Sequence, residues 1–164
     1  MSATMQGVDA RGYLAGWVGA LADMTSKDIR AIPADKWTSS FGGCTRPANE
    51  LVADAIWLLN WCTGALRGEA TATEENDGMK QIAAQLTDAD TACAQLGEAA
   101  QAFAAALKAA DDDRLNSMVT APWQMPAPLF MLAQIAVSHI WYHDGQLNYI
   151  QCLLGDEKVH WMGD

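Results

Sequence analysis

The sequence predicts an all-α protein, a four-helix bundle, and three observations carry that expectation. Apolar residues recur at three- and four-residue spacing through four long stretches. Proline and glycine punctuate the intervals between them. No run longer than a few residues alternates apolar with polar, as a half-buried strand would. At 164 residues, 51% apolar and 18% charged, the chain suffices for one packed core and not comfortably for two. Residues 1–164 are therefore read as one domain, with no internal repeat.

The first helix is expected around Asp9–Asp28, where Leu14, Trp17, Val18, Leu21 and Met24 share a face. Pro33 and the Gly42-Gly43 pair then break the helical pattern. Pro47 suits a first helical turn and Glu50 favours its positive dipole end, so a second helix should run from about Pro47 to Arg67 and stop near Gly68. The acidic, threonine-rich Glu69–Gly78 reads as a loop. A third, alanine-rich helical region is expected from about Met79 to Ala110, with Gly97 as its one point of interruption. Asp111-Asp-Asp113 reads as a solvated exit or the cap of a following turn. Thr120–Pro128 reads as a stiff loop, and the fourth helix as Leu129–Leu154, ended by Gly155.

Charge excludes two functional classes. Twenty acidic residues against ten basic ones give a formal charge of −10, which repels phosphate backbones and anionic lipid, so neither nucleic acid nor a membrane surface is an expected partner. The start of the chain has no basic segment followed by an apolar run, and so no secretory signal. Arg114 to Asp144 encloses no charged residue, but Pro122, Pro126 and Pro128 break it and Gln134, His139 and His143 interrupt the rest. Cys44, Cys62, Cys93 and Cys152 form no C-x-x-C pair, which suits free thiols in a reducing cytoplasm.

The informative segment is Ser138-His-Ile-Trp-Tyr-His-Asp-Gly-Gln146. His139 and His143 lie four apart and so project from one helix face. That face also carries Leu132, Ile135, Ala136, Gln146, Ile150 and Leu153, so both imidazoles should point into the bundle. Two buried imidazoles need partners. A divalent metal would join them; a pair of hydrogen-bonded core histidines is the other reading. On the second helix the same angular arithmetic sets Asp54 inside the apolar arc between Leu58 and Trp61. With the two histidines it would make a two-histidine, one-carboxylate site with open positions. Glu50, one turn earlier, is the fallback ligand. A carboxylate bonded directly to an imidazole, without metal, is the competing arrangement.

These residues resemble the DinB-like (YfiT-like) superfamily of four-helix bundles. The resemblance rests on the helical H-x-x-x-H followed by Gly145-Gln146, on the Leu154-Gly155-Asp156 stop, and on the apolar second helix opening Pro47-Ala-Asn-Glu-Leu-Val-Ala-Asp54. It implies one divalent ion, commonly zinc or nickel, held by two fourth-helix histidines, here His139 and His143, and one second-helix ligand. That ligand is usually histidine; here Asp54 aligns with it. Asp144 stands where a basic residue is often found. The implied activities are metal-dependent thiol transfer or isomerisation with low-molecular-weight thiols, or hydrolysis.

Lesser candidates surround this set. Gln146 shares the histidine face and would orient a ligand imidazole or water. Trp57, Trp61, Trp123 and Tyr142 would line a substrate mouth or simply fill core and interface. Glu157-Lys-Val-His160 has di-iron spacing but occurs once, after a glycine stop. Cys44 reads as an inert loop cysteine. Phe130, Val137 and Trp141 lie opposite the histidines on the fourth helix; another helix would cover them, or a second copy in a homodimer, which is the preferred expectation. The rival to a metal enzyme is a non-catalytic dimeric bundle whose polar cluster serves core specificity.

Overall fold

The structure, a computed structural model, describes residues 9–69 and 75–162. The start of the chain and residues 70–74 of the acidic loop lie outside the described residues. Among the described residues six α-helices form: α1 (Ala10–Ala31), α2 (Ala48–Arg67), α3 (Glu75–Gln85), α4 (Ala89–Ala109), the short α5 (Asp112–Asn116) and α6 (Leu129–Leu153). The four long ones build the expected bundle. α1 and α2 sit at opposite corners, each packed against both α4 and α6, while α3 lies on α2. No helix among the described residues is long and apolar enough to cross a membrane.

Local chemistry sets the boundaries. Asp9 caps α1 by accepting from the Gly12 N–H at 2.9 Å. Gly68 takes φ 80°, which glycine alone adopts without penalty, and lets its N–H and that of Glu69 reach back to Ala65 and Gly64 at the end of α2. Gly155 ends α6 in the same left-handed region, at φ 86°. Asp111 caps α5 through the Arg114 N–H at 2.7 Å. Arg114 in turn donates from Nε to the Ala65 carbonyl at 3.0 Å, and Arg11 to the Ala110 carbonyl at 2.7 Å, each satisfying the open end of a neighbouring helix.

Three expectations change. The third helical region is two helices, divided at Leu86-Thr87-Asp88 and not at Gly97. Asp88 turns its carboxylate onto the Thr91 N–H at 2.8 Å, and the Trp37 indole N–H donates to the Leu86 carbonyl at 2.7 Å, so the break satisfies its own backbone. Residues 75–78, read as loop, belong to α3. In place of a stiff loop over Thr120–Pro128 the chain forms a small antiparallel hairpin, β1 (Met118–Thr120) with β2 (Pro126–Pro128), too short to show an alternation.

The core runs the length of the bundle. Val18, Leu21 and Ile29 of α1, Leu59 of α2, Leu96, Phe103 and Leu107 of α4, and Leu132, Ile140 and Leu147 of α6 are fully buried. Val137 is buried too, because α1 lies against that side of α6. The apolar surface left there is aromatic: Trp141 is half-exposed between Trp17 and Trp161, with ring centroids 6.2 and 5.9 Å away.

Candidate metal centre

The centre forms where α2 and α6 meet. Asp54 lies in the middle of an α2 segment in which Leu51 to Ile56 are all buried, so its carboxylate has no route to water along its own helix. His143 is buried, while His139, one turn earlier on α6, is partly open. Asp54 Oδ1 stands 3.1 Å from His139 Nε2, Asp54 Oδ2 stands 3.2 Å from His143 Nε2, and the two Nε2 atoms are 2.9 Å apart. Side chains from two helices, 85 positions apart in sequence, thus present their donor atoms to one point.

The donors fit a small divalent ion. Ligands about 2.1 Å from a tetrahedral ion stand roughly 3.4 Å from one another, a few tenths of an ångström beyond the separations observed. Proton counting points the same way. Gln146 Oε1, 2.6 Å from His143 Nδ1, accepts that nitrogen's proton. In neutral His143 the lone pair therefore sits on Nε2, facing both His139 Nε2 and the Asp54 carboxylate. One N–H on His139 can serve only one of those neighbours, so lone pairs outnumber protons at the point of convergence. A cation resolves that imbalance.

Arg46 was not singled out as a site residue by the sequence. It precedes α2 and returns to it: Nη1 donates to Asp54 Oδ2 at 2.7 Å, and Nη2 to the Glu50 carbonyl at 2.8 Å. Burial alone would push the Asp54 carboxyl up, but the neighbouring His139 and His143 rings and the Arg46 guanidinium outweigh it and hold the group well below the usual carboxylate range. Asp54 is ionised here across the physiological range, as a ligand must be. The signal was available: an arginine just before the N-cap of α2, eight residues ahead of a buried acid about two helical turns into the helix.

The other candidates take different places. Glu50 is outside the cluster and exposed, with its carboxylate 3.7 Å from Arg46 Nε. Trp57 packs against α3 so closely that a Cβ on Gly78 would come within 2.7 Å of its indole nitrogen. Trp61 is buried, and its indole N–H has no partner among the described residues. Trp123 is exposed on the hairpin. Tyr142 stacks on His139 with ring centroids 6.0 Å apart and is the aromatic beside the centre. His160 pairs with Asp156 at 2.8 Å, away from the two histidines of α6.

Two clefts open beside the cluster and share Arg46. One, of about 540 Å³, is lined by Gly43, Cys44, Arg46, Gln146 and Tyr149 among others; the other, of about 520 Å³, by Arg46, Asn49, Glu50, Met79 and Lys80. Cys44 is exposed there as a free thiol. Cys62, also free, is buried, and its thiol is pushed up to about 12 by that burial.

No family model matches the sequence, and no curated protein does. Solved structures do match by shape. A crystal structure of the mycothiol-dependent maleylpyruvate isomerase superposes with a TM-score of 0.63 at 15% identity, over 87% of this chain and 61% of that one. An alanine variant at one histidine of that isomerase gives a TM-score of 0.62 at 16% identity, with the same coverage. This chain therefore spans about three-fifths of the length of the isomerase it resembles. At such identity the likeness speaks for the fold, and with the helix order already described it shows that the chain has the DinB-like four-helix-bundle fold.

Proposed function

We propose that this protein is a divalent-metal-dependent enzyme whose ion is held by Asp54, His139 and His143 and whose substrate is a low-molecular-weight thiol or water. When bound, the ion would act as a Lewis acid on a substrate atom at an open coordination position. The chain's own groups supply the rest. Gln146 keeps the His143 proton on Nδ1 and so keeps Nε2 free for binding. Arg46 neutralises part of the Asp54 charge and stands at the mouth of both clefts. Tyr142 walls one side of His139. The resemblance to DinB-like bundles favours zinc or nickel, and two imidazoles with a carboxylate accommodate either.

The convergence of the three donors carries this reading; the shared fold with a thiol-dependent isomerase supports the choice of thiol. The test is metal content of protein purified without an affinity tag, beside His143→Ala. About one ion per chain in the parent and a clear loss in the variant is the expected result. Equal content in the two would defeat it.

One observation favours a second reading. The Arg46–Asp54 pair already gives the buried carboxylate a cation, as a metal-free bundle would require. In that case the polar cluster serves packing specificity alone, in a homodimer closed over the Trp17–Trp141–Trp161 surface. A chelator then leaves the melting temperature unchanged, whereas loss of a resident ion lowers it.

A further inference from the structure

We propose that Thr25 and Asp28 of α1, with Asp144 and Gln151 of α6, form a second cation site, made of oxygen donors alone and suited to a hard divalent ion such as Ca²⁺ or Mg²⁺. This site is separate from the Asp54 centre and does not depend on the chemistry proposed there. His143 and Asp144 are neighbours on α6 and leave the helix about 100° apart. The first meets α2; the second meets α1.

The four side chains are among the most enclosed polar groups in the molecule: Asp28 is 0% exposed, Gln151 1%, Thr25 3% and Asp144 3%. Spacing explains why they meet. Thr25 and Asp28 are three apart on α1, and Asp144, Asn148 and Gln151 follow at four and three on α6, so each set forms one stripe. Contacts tie the stripes together. Asn148 Nδ2 donates to Asp28 Oδ2 at 3.1 Å, and Gln151 Nε2 to the Asp28 carbonyl at 2.8 Å, with Asp28 Oδ1 3.4 Å away.

What the cluster lacks points to its ligand. Thr25 Oγ1, Asp144 Oδ1 and Gln151 Oε1 are buried with no hydrogen-bond partner among the described residues, and all three are oxygens able to coordinate. No lysine, arginine or histidine among the described residues pairs with Asp28 or Asp144. Two carboxylates share this space without a counter-charge. One divalent ion would balance both carboxylates and occupy the orphaned oxygens together. A proton shared between the acids balances only one charge and leaves Gln151 Oε1 without a partner. Carboxylate, hydroxyl and amide oxygens select hard ions, in contrast to the imidazole-rich Asp54 centre.

The test uses the full chain, stripped with chelator and refolded from urea in Ca²⁺, in Mg²⁺, or in neither, for the parent, His143→Ala and Asp28→Asn. At a hundredfold excess over the dissociation constant, the parent and His143→Ala should both melt about 5–10 °C higher. Asp28→Asn should show no shift, and dialysis should count one ion per chain in the other two. Thr25→Val, which keeps the shape and removes one ligand, should weaken binding at least about tenfold and covers the case in which Asp28→Asn does not fold. No shift in the parent would mean that the acids share a proton, and would overturn the site. So would an equal shift in Asp28→Asn or Thr25→Val, and so would a shift lost in His143→Ala.

Discussion

Gln146 holds His143 by a 2.6 Å contact between Oε1 and Nδ1, and that contact decides which ring nitrogen keeps its proton. The two residues are three apart on α6, so the helix itself sets their spacing. Everything asked of His143 as a ligand depends on this small arrangement, since an imidazole protonated on Nε2 cannot bind through it.

Gln146→Leu should therefore weaken metal binding about 10–100-fold while leaving the helical content intact. Gln146→Glu, which keeps the acceptor, should recover most of the loss. Competition with a chromophoric chelator measures both. Equal affinity in the leucine variant and the parent would show that the contact is incidental.

Arg46 and a metal ion compete for the same carboxylate, so the consequence of removing Arg46 depends on whether metal is present. Without metal, Arg46→Met leaves Asp54 buried beside two histidines and no guanidinium, at a cost of about 1–3 kcal/mol, below the figure for a fully enclosed pair because the arginine is 37% exposed. With the site saturated the difference should shrink toward zero. Urea denaturation of parent and variant, in chelator and in excess zinc, gives the two numbers. A loss of the same size under both conditions would mean that Arg46 stabilises the fold by some other contact.

Much of this was legible in sequence. The period of apolar residues and the glycines at 68 and 155 placed α2 and α6 within a residue or two, and Asp54, His139 and His143 were recognisable as polar residues on apolar faces. Most of the failures share one cause: they turn on contacts between segments distant in the chain. The break at Leu86 needs the indole of Trp37, 49 residues earlier, to receive the freed carbonyl. Arg46 joins the centre only once its loop folds back on α2. Asp28 reads as a helix-end acid until α6 brings Gln151 to it across 123 residues. The hairpin at Met118–Pro128 is three residues a side, below the length at which alternation means anything.

The same break supplies a pH test. The Asp88 carboxyl lies below its ordinary value of 3.8, chiefly because the Thr91 backbone N–H bonds the ionised form. A carboxyl lowered on folding contributes stability above the unfolded value, and that contribution is lost as pH falls through the folded one. Asp88→Asn keeps the cap but does not titrate. The parent should hold an advantage over the variant at pH 6 that shrinks as the pH falls below 3.8, read as the difference in urea midpoints. A difference that does not change with pH would remove Asp88 from the account of how α4 begins.

The thiols test which cleft would admit the proposed substrate. Cys44 and Cys152 are exposed, whereas Cys62 and Cys93 are buried, so a bulky maleimide should label two of the four cysteines in the folded protein. Of the two, Cys44 alone lines the cleft that Gln146 and Arg46 also line. In cobalt-loaded protein, N-acetylcysteine reaching the ion should produce a sulfur-to-metal charge-transfer band. Maleimide on Cys44, in Cys152→Ser, should raise the thiol concentration needed for half that band by at least about tenfold. The label on Cys152, in Cys44→Ser, should leave it unchanged, because that residue lies at the far end of α6. Should both labels act alike, the thiol approaches by another path, and the second cleft, between Arg46 and Lys80, becomes the one to block.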